Sequence, residues 1–273
     1  MKAALKYAAA ALALGASLAP IWWLVTISLK RDIDHFAYPP LWWNFSPTLE
    51  HYVDAFTARS FGRYLVNSAL VTAGSTLLAL LLGIPAAYGL ARFSWPGAWR
   101  ERLAFWLLST RMLPPIVTIV PLFLMMREVR LLNSLAGLGL VYTAFNLPFV
   151  IWMMRGIFDE IPLELEEAAR LDGETRMGAL LRITLPLARG GLAATAVFCA
   201  VVAWNEFLFA LILTQTESAI TLPVGIASRV TQYEIRWGAM SAAGVVAMLP
   251  VLVFAALAQR HLVRGLSMGA VKG

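Results

Sequence analysis

Charged residues are scarce in this sequence, too scarce to cover a water-soluble protein. Asp, Glu, Lys and Arg make up 14% of the 273 residues, while hydrophobic residues make up 60%. A soluble domain normally carries roughly 25% charged and 45–50% apolar residues. Because a globular fold of this length needs a substantial polar exterior, the composition excludes an ordinary soluble domain and indicates a membrane protein.

Residues that build disulfides and metal clusters are also few. The chain has one cysteine, Cys199, and three histidines, so an intramolecular disulfide is excluded. His35, His51 and His261 are far apart along the chain and lack the spacing typical of metal ligands. The sequence therefore predicts neither a metal site nor a cofactor held by this chain.

Lysine is rare, and its positions exclude a nucleotide-binding loop. None of the four lysines follows a glycine in a GxxxxGK[ST] pattern, so the chain is predicted to hold no ATPase and not to be an enzyme. The net charge of +6 would be compatible with nucleic-acid binding. However, the basic residues stand at the ends of apolar runs rather than in one patch, so nucleic acid is not a predicted partner.

Long apolar runs fill most of the chain. Six are long enough to cross a bilayer as helices, since about 20 residues span the hydrocarbon; they cover residues 7–29, 65–91, 103–126, 136–154, 190–213 and 239–259. The predicted fold class is all-α, a polytopic membrane protein of about six transmembrane helices in contact with lipid. The first run could instead be a signal peptide, but its apolar stretch continues through Trp22 and Val25, which favours a retained helix.

The basic residues predict an orientation. They are more numerous in the segments that would be cytoplasmic if the N-terminus is inside, so both termini are predicted to be cytoplasmic. The predicted organisation is a transmembrane helix (1–30), an external loop (31–64), a transmembrane core (65–259) and a cytoplasmic tail (260–273). The core includes a cytoplasmic loop at residues 155–189.

That cytoplasmic loop has the most informative local pattern. Pro162 can begin a helix, because its missing N–H would be unsatisfied there anyway. Glu164, Glu166 and Glu167 then occupy the first turns, where negative charge suits the helix dipole. Gly173 predicts a bend, after which a second helical piece continues toward the next apolar run.

The same loop resembles a known family. Glu167-Ala168-Ala169, followed at fixed intervals by Gly173, Ile183 and Leu185-Pro186, is similar to the EAA motif of bacterial ABC importer permeases. Further segments resemble the MalG-type branch of that family, the permease subunits of binding-protein-dependent carbohydrate importers. These segments are 63–68, 85–89, 204–207 and 269–273.

The resemblance implies a fold, an assembly and a set of contact residues. The fold would be that of ABC type I (MetI-like) importer permeases of the bacterial inner membrane. The partners would be a second homologous permease, two ATPase subunits that bind ATP and Mg, and an extracytoplasmic solute-binding protein. The substrate would be a sugar, oligosaccharide or polyol. The residues implied to dock on the ATPase are Glu167, Ala168, Ala169, Arg170, Asp172 and Gly173.

Polar residues within the apolar runs are the candidates for a translocation pathway. Ionisable groups at membrane depth cost roughly 2.5–3.5 kcal/mol and usually face a bundle interior or a water cavity. The candidates are Arg111, Asn146, Trp204, Asn205 and Glu206. Alternatively, Arg111 extends to the membrane interface or pairs with a neighbouring helix, and Asn205 and Glu206 join helices by hydrogen bonds. Pro114 and Pro115 predict a kink next to Arg111.

Besides a purely structural scaffold, two other classes of protein are alternatives to a permease. A secondary transporter driven by an ion gradient would predict inverted repeats and an ion site. An intramembrane enzyme would require a nucleophile–base pair or clustered metal ligands within the spans. The sequence has neither set of features, and it does not identify which sugar or polyol would be carried.

Overall fold

The computed structural model describes residues 2–57, 60–228 and 236–269, with side chains at 4–57, 60–228 and 236–257. The side chain of His261 and the segment 270–273 lie outside that part.

All regular structure in the described ranges is helical. The helices are α1 (Lys2–Leu29), α2 (Asp32–His35), α3 (Glu50–Thr57), α4 (Phe61–Arg92), α5 (Trp99–Ser109), α6 (Pro115–Glu128), α7 (Leu135–Asp159), α8 (Leu163–Leu171), α9 (Arg176–Ala179), α10 (Leu185–Leu187), α11 (Arg189–Trp204), α12 (Leu208–Leu213), α13 (Leu222–Ala227) and α14 (Trp237–Gly269), with a 3₁₀ turn at Thr110–Met112 and a π-helical turn at Leu180–Thr184.

Four of these helices are long and apolar enough to cross a membrane, namely those that contain Ala4–Leu29, Phe61–Arg92, Leu135–Asp159 and Trp237–Leu257. Two further pairs of helices are long and apolar enough only when each pair is counted as one segment, and each pair is sharply bent at the junction. The first joins Trp99–Met112 to Pro115–Glu128 at 92°, and the second joins Arg176–Leu187 to Arg189–Trp204 at 82°. The spans number up to six if each bent pair is one span, which agrees with the predicted all-α membrane fold.

The third predicted run, 103–126, is a broken helix rather than a straight one. Leu113 and Pro114 are extended, with ψ of 124° and 131°, because a proline disfavours the helical conformation in the residue before it. Pro115 then begins α6, where its missing N–H is not needed. The predicted kink is present, and it leaves Arg111 in the 3₁₀ turn at the end of the first arm.

The fifth predicted run, 190–213, was wrong as a single helix. Helix α11 ends at Trp204, and α12 begins only at Leu208. The side chain of Glu206 accepts hydrogen bonds from the backbone N–H of Phe209 at 3.0 Å and of Ala210 at 3.3 Å. These bonds satisfy donors that the first turn of a helix leaves open, so a carboxylate in the apolar run starts a new helix.

The chain divides into two compact units. The first unit comprises residues 1–65 and 221–250, and the second comprises 66–220 and 251–273. In the first unit, four tryptophans from the end of α1 and the following loop pack together. The ring centroids of Trp22 and Trp43 are 4.4 Å apart, and those of Trp23 and Trp42 are 5.0 Å apart.

The core of the second unit forms where α4, α7 and α11 meet the segment after Gly173. Its buried residues are Ala79, Ala87, Tyr88, Leu90, Val150, Ile151, Met154, Phe158, Leu180, Ala188 and Cys199. Small residues allow these helices to approach each other closely. A Cβ atom added to Gly83 would lie 2.5 Å from Cγ1 of Val150, so the backbone of α4 packs directly against the Val150 side chain of α7 there.

Substitution of Gly74 and Gly83, which both lie in α4, tests this packing. Alanine at a helix interior gains about 1 kcal/mol in helix propensity over glycine. At Gly74 the added methyl meets no atom within 4 Å, whereas at Gly83 it meets Val150. Overpacking costs about 1–3 kcal/mol, so we expect Gly83→Ala to unfold at a lower temperature than Gly74→Ala by about 3–8 °C. Thermal unfolding of the purified variants in detergent measures the difference; equal melting temperatures would contradict close contact of α4 and α7.

Candidate functional site

The loop that carries the EAA pattern is a compact helical structure in the second unit. Helix α8 begins at Leu163, directly after Pro162, and ends at Leu171. Gly173 has φ of +96°, a left-handed conformation that glycine adopts without a steric penalty. The chain then resumes as α9 and the π-helical turn. The predicted helix, glycine bend and second helical piece are therefore all present.

One buried carboxylate fixes α8 in place. Glu166 is 2% exposed. Its carboxylate accepts hydrogen bonds from the hydroxyl of Tyr88 at 2.7 Å, the hydroxyl of Thr184 at 2.7 Å and Nε of Arg92 at 2.8 Å. Arg92 also donates to the backbone oxygen of Ile161 at 2.8 Å. A single side chain thus ties α8 to the end of α4 and to the helical piece that leads into α11.

The surroundings of Glu166 keep it ionised. Burial alone would raise the pKa of this carboxyl, but the hydrogen bonds from Tyr88, Thr184 and Arg92, together with the charge of Arg92, lower it below its usual value. A buried carboxylate is tolerated only when its lone pairs are filled and a cation is near. Removing one partner of such a pair typically costs about 3–5 kcal/mol.

Most of the remaining surface of α8 is open. Glu167, Ala168, Arg170, Asp172 and Gly173 are exposed, and Leu171 is 90% exposed. Of the six residues implied to dock on a partner, only Ala169 is buried. Five predicted contact residues are therefore accessible on α8 and the bend after it, and we call this exposed surface the EAA face.

Glu166 is the functional residue that sequence reasoning missed. Three glutamates stand close together at positions 164, 166 and 167, and the sequence gives no reason to separate them. The available signal was helical register, because Glu166 and Ala169 are three residues apart and therefore lie on one face of α8. Knowing which face turns inward required the partners Tyr88 and Arg92, which are more than 70 positions away.

A second feature of this unit is a cavity among the transmembrane segments. Its volume is about 190 Å³, and its lining includes Arg111, Asn146 and Glu206 together with Tyr142 and Phe145. Three of the five predicted pathway residues thus line one cavity, Arg111 from the 3₁₀ turn, Asn146 from α7 and Glu206 from the break between α11 and α12. The breaks after Arg111 and before Leu208 place polar groups at this position in an otherwise apolar bundle.

Two polar atoms at this cavity have no hydrogen-bond partner among the residues that the structure describes. They are Nη1 of Arg111 and Oδ1 of Asn146, and both are covered by protein. The amide Nδ2 of Asn146 donates to the backbone oxygen of Cys199 at 3.3 Å, which fixes the orientation of the amide. The guanidinium of Arg111 lies over the rings of Phe149 and Phe198, at 5.3 and 5.9 Å.

The other two predicted pathway residues do not line this cavity. Trp204 is 5% exposed at the end of α11. Asn205 is exposed, and its amide donates to the backbone oxygen of Val201 at 2.8 Å, one turn back. The structure therefore gives Asn205 a local contact, while Glu206 combines helix capping with a position on the cavity wall.

The histidines are closer together than their separation along the chain suggests. In the first unit, nitrogen atoms of His35 and His51 and a carboxylate oxygen of Asp32 all lie within 4.8 Å of one another. The spacing of the histidines along the chain did not indicate this proximity, and the prediction that the chain holds no metal remains a prediction. The 15 residues between them fold back so that α2 and α3 meet at the end of α1.

A family model described as "Binding-protein-dependent transport system inner membrane component" matches residues 79–268. The chain belongs to this family. Its members are permeases of ABC transporters, and the matched region contains both α8 with the EAA face and the cavity at Arg111.

Relatives of this permease match it over nearly its whole length. A probable ABC transporter permease of Sinorhizobium fredii is 39% identical, over 93% of this chain and 90% of the relative. The sulfoquinovosyl glycerol transport permease SmoH of Agrobacterium fabrum is 36% identical, over 98% and 94%. The trehalose transport permease SugB of Mycobacterium tuberculosis is 38% identical, over 96% and 95%.

Solved structures agree on the fold of this permease. A chain of a bacterial ABC transporter that imports the acidic polysaccharide alginate superposes with a TM-score of 0.80 at 22% identity, over 94% of this chain and 95% of that one. A chain of the inward-facing methionine transporter MetNI superposes with a TM-score of 0.60 at 20% identity, over 77% and 97%. The predicted MetI-like importer permease fold is confirmed.

The anchor of α8 predicts a dependence on pH. The pKa of Glu166 is lowered in the folded protein, so its ionised form stabilises the fold; this contribution is full above the unfolded-state pKa and is lost as the pH falls through the folded-state pKa. We expect hydrogen exchange of the α8 amides, corrected for intrinsic rates, to accelerate in wild type only below about pH 4.5. Glu166→Gln should already exchange faster at pH 7.

Glu164→Gln is the matched control, since Glu164 is an exposed glutamate on the same helix. It should keep the wild-type exchange rates of α8 at pH 7. Equal protection of α8 in the Glu166→Gln and Glu164→Gln variants at that pH would refute the anchoring role of Glu166.

Proposed function

We propose that this chain is the permease subunit of an ATP-driven importer for a sugar, oligosaccharide or polyol, and that it couples to a separate ATPase through the EAA face. The observation that carries the proposal is the division of α8 into a face anchored by Glu166 and an open EAA face. The names of the relatives, which include permeases for trehalose and sulfoquinovosyl glycerol, support a carbohydrate substrate.

The anchor makes α8 suitable for transmitting force. Three hydrogen bonds hold Glu166 to α4 and to Thr184, and α7 runs into α8 through only a few residues. A partner that moves α8 would therefore also move the transmembrane helices attached to it. A loosely attached loop would instead absorb the same displacement, because side chains and backbone would rearrange locally.

The EAA face offers chemistry for docking a protein. Glu167 supplies an exposed carboxylate and Arg170 an exposed guanidinium, while Ala168 lets a partner approach the helix closely. Leu171, which is 90% exposed, supplies an apolar side chain at the end of the helix.

The proposed assembly contains a second homologous permease, two ATPase subunits that bind ATP and Mg, and an extracytoplasmic solute-binding protein. In it α8 faces the cytoplasm, as the distribution of basic residues predicts, and both termini lie on the same side. ATP binding closes the ATPase pair and pulls the docked helices. A shift of a conformational equilibrium from 1:99 to 99:1 requires about 5.5 kcal/mol of differential binding, which two nucleotide sites can share.

We further propose that the cavity at Arg111, Asn146 and Glu206 lies on the translocation pathway. Unsatisfied buried polar atoms cost about 1–3 kcal/mol each, and native proteins retain them mainly where function requires them. A sugar hydroxyl both donates and accepts, so it can satisfy Oδ1 of Asn146 and Nη1 of Arg111 when these side chains turn toward the opened cavity. Phe145 gives the same cavity an apolar wall suited to the C–H face of a sugar ring.

The coupling is tested by charge reversal on the EAA face. We expect Glu167→Lys to abolish co-purification with the ATPase subunit and ATP-dependent uptake in vesicles, because it places a cation where the partner is proposed to meet a carboxylate. Gly173→Asp should weaken both, since aspartate strains the left-handed conformation at φ +96°. Uptake of labelled trehalose, sulfoquinovosyl glycerol and diacetylchitobiose, the substrates in the names of relatives, provides the measurement.

The control is Glu128→Lys, the same charge reversal at a glutamate that is 75% exposed at the end of α6. It should assemble and transport as wild type does. If Glu167→Lys and Gly173→Asp both bound the ATPase and transported normally, the coupling role of the EAA face would be wrong. Uptake that followed an ion gradient without ATP would instead favour a secondary transporter.

The pathway is tested by removing one polar partner at a time. We expect Asn146→Leu and Arg111→Gln each to lower uptake by about tenfold, the effect of losing roughly 1.4 kcal/mol of hydrogen bonding to the moving substrate. Co-purification with the ATPase should stay unchanged, because neither residue is near the EAA face. Arg127→Gln, at an arginine that is 58% exposed, is the matched control. Normal uptake by both cavity variants would contradict the pathway proposal and indicate that Arg111 and Asn146 have structural roles only.

A further inference from the structure

A cluster in the first unit has ligands of a kind that the proposed transport function does not use. Asp32 opens α2, His35 ends it, and His51 lies in the first turn of α3. We infer that Asp32, His35 and His51 form a binding site for one divalent transition-metal ion, of which Zn²⁺ is the representative probe. Such a site would be a structural clamp between the end of α1 and α3, independent of the transport chemistry.

The distances between the ligand atoms suit such an ion. Nδ1 of His35 and Nε2 of His51 lie 3.6 and 3.7 Å from Oδ1 of Asp32. Zinc binds imidazole nitrogen at about 2.0–2.1 Å and carboxylate oxygen at about 2.0–2.2 Å, so neighbouring ligand atoms of a tetrahedral site are separated by about 3.3–3.4 Å. These two distances exceed that separation by a few tenths of an ångström, and the ligand nitrogens of His35 and His51 lie within 4.8 Å of each other, so side-chain adjustments of up to about 1.5 Å bring all three around the ion.

His35 is already oriented as a metal ligand should be. Its Nε2 lies 3.0 Å from the backbone oxygen of Ile27 in the last turn of α1. An Nε2–H that donates to that oxygen leaves the lone pair of Nδ1 directed at Asp32. A metal-binding histidine almost always donates its second nitrogen to a carbonyl or carboxylate in this way, which fixes the ring and its tautomer.

His51 would change its tautomer to bind the metal. Its Nε2 lies 2.8 Å from the backbone oxygen of Lys30, so the proton of that hydrogen bond must leave Nε2 while Nδ1 takes up a proton, which keeps the ring neutral and frees the Nε2 lone pair for the ion. Because 2.8 Å is shorter than the separation of neighbouring zinc ligands, the oxygen of Lys30 is not a ligand at this position, and water takes the remaining positions. The ammonium of Lys30 is turned elsewhere, over the rings of Trp23 at 4.5 Å and Phe45 at 5.3 Å.

The burial of the three side chains gives the site one open side. The imidazoles of His35 and His51 are 5% and 7% exposed, while the side chain of Asp32 is 78% exposed. Low exposure of the imidazoles orders them before the ion arrives and reduces the entropy lost on binding. The exposed carboxylate of Asp32 provides the entry for the ion from water.

Metal binding to the purified full-length permease tests the inference. The protein is prepared with an affinity tag that contains no histidine, dialysed against Zn²⁺, and its zinc content is measured by mass spectrometry. We expect one Zn²⁺ per chain and a melting temperature that rises with Zn²⁺ concentration, as linkage requires for an ion that binds only the folded state. X-ray absorption should show two imidazole nitrogens, with oxygen in the remaining positions.

Single substitutions distinguish a specific zinc site from nonspecific zinc binding. Asp32→Asn changes an exposed side chain and should fold normally while weakening zinc affinity by at least tenfold, and His35→Gln should abolish stoichiometric binding. Asp34→Asn, on the same short helix, is the matched control and should bind as wild type does. Zinc bound equally by wild type and Asp32→Asn, or no zinc retained by wild type, would overturn the proposal. Either result would leave the proposed transport function standing, because that function is measured with the EAA-face variants.

Discussion

The buried carboxylate of Glu166 is the constraint on which the arrangement of the second unit depends. An ionised carboxyl removed from water is costly unless its lone pairs are filled, and here Tyr88, Thr184 and Arg92 fill them from two different segments. All three donors must be in place together, since losing one leaves a buried charge under-satisfied. The network therefore fixes the position of α8 more strictly than apolar packing alone would, because hydrophobic contacts tolerate small shifts.

This constraint explains why neighbouring glutamates have different roles. Glu166 is turned inward and its carboxylate is fully hydrogen-bonded, whereas Glu167 is exposed at the start of the EAA face. Successive residues of a helix point about 100° apart, so a single turn can present one carboxylate to the core and another to a partner. Glu167 adds a charge to the EAA face, whereas Glu166 fixes the position of α8 relative to the membrane helices.

The sequence alone predicted the features that depend on neighbouring residues, but it did not predict those that depend on contacts between residues far apart along the chain. Apolar length predicted the long helices, and adjacent prolines predicted the break after Arg111, because both effects act within a few residues. The break before Leu208 was missed because hydropathy averages over Asn205 and Glu206, while capping depends on where a single carboxylate points. The pairing of His35 with His51 and of Glu166 with Arg92 depends on how loops return the chain, which periodicity does not encode.

The two breaks have a common physical consequence. A continuous apolar helix satisfies all its backbone groups internally and can present only side chains to a bundle, whereas a broken one frees backbone donors and turns polar side chains inward. At the second break Glu206 satisfies the freed donors itself. At the first, Arg111 reaches toward α7 and rests on the rings of Phe149 and Phe198. A cavity with a few polar groups in its wall thus lies inside an apolar bundle at the place where both helices stop.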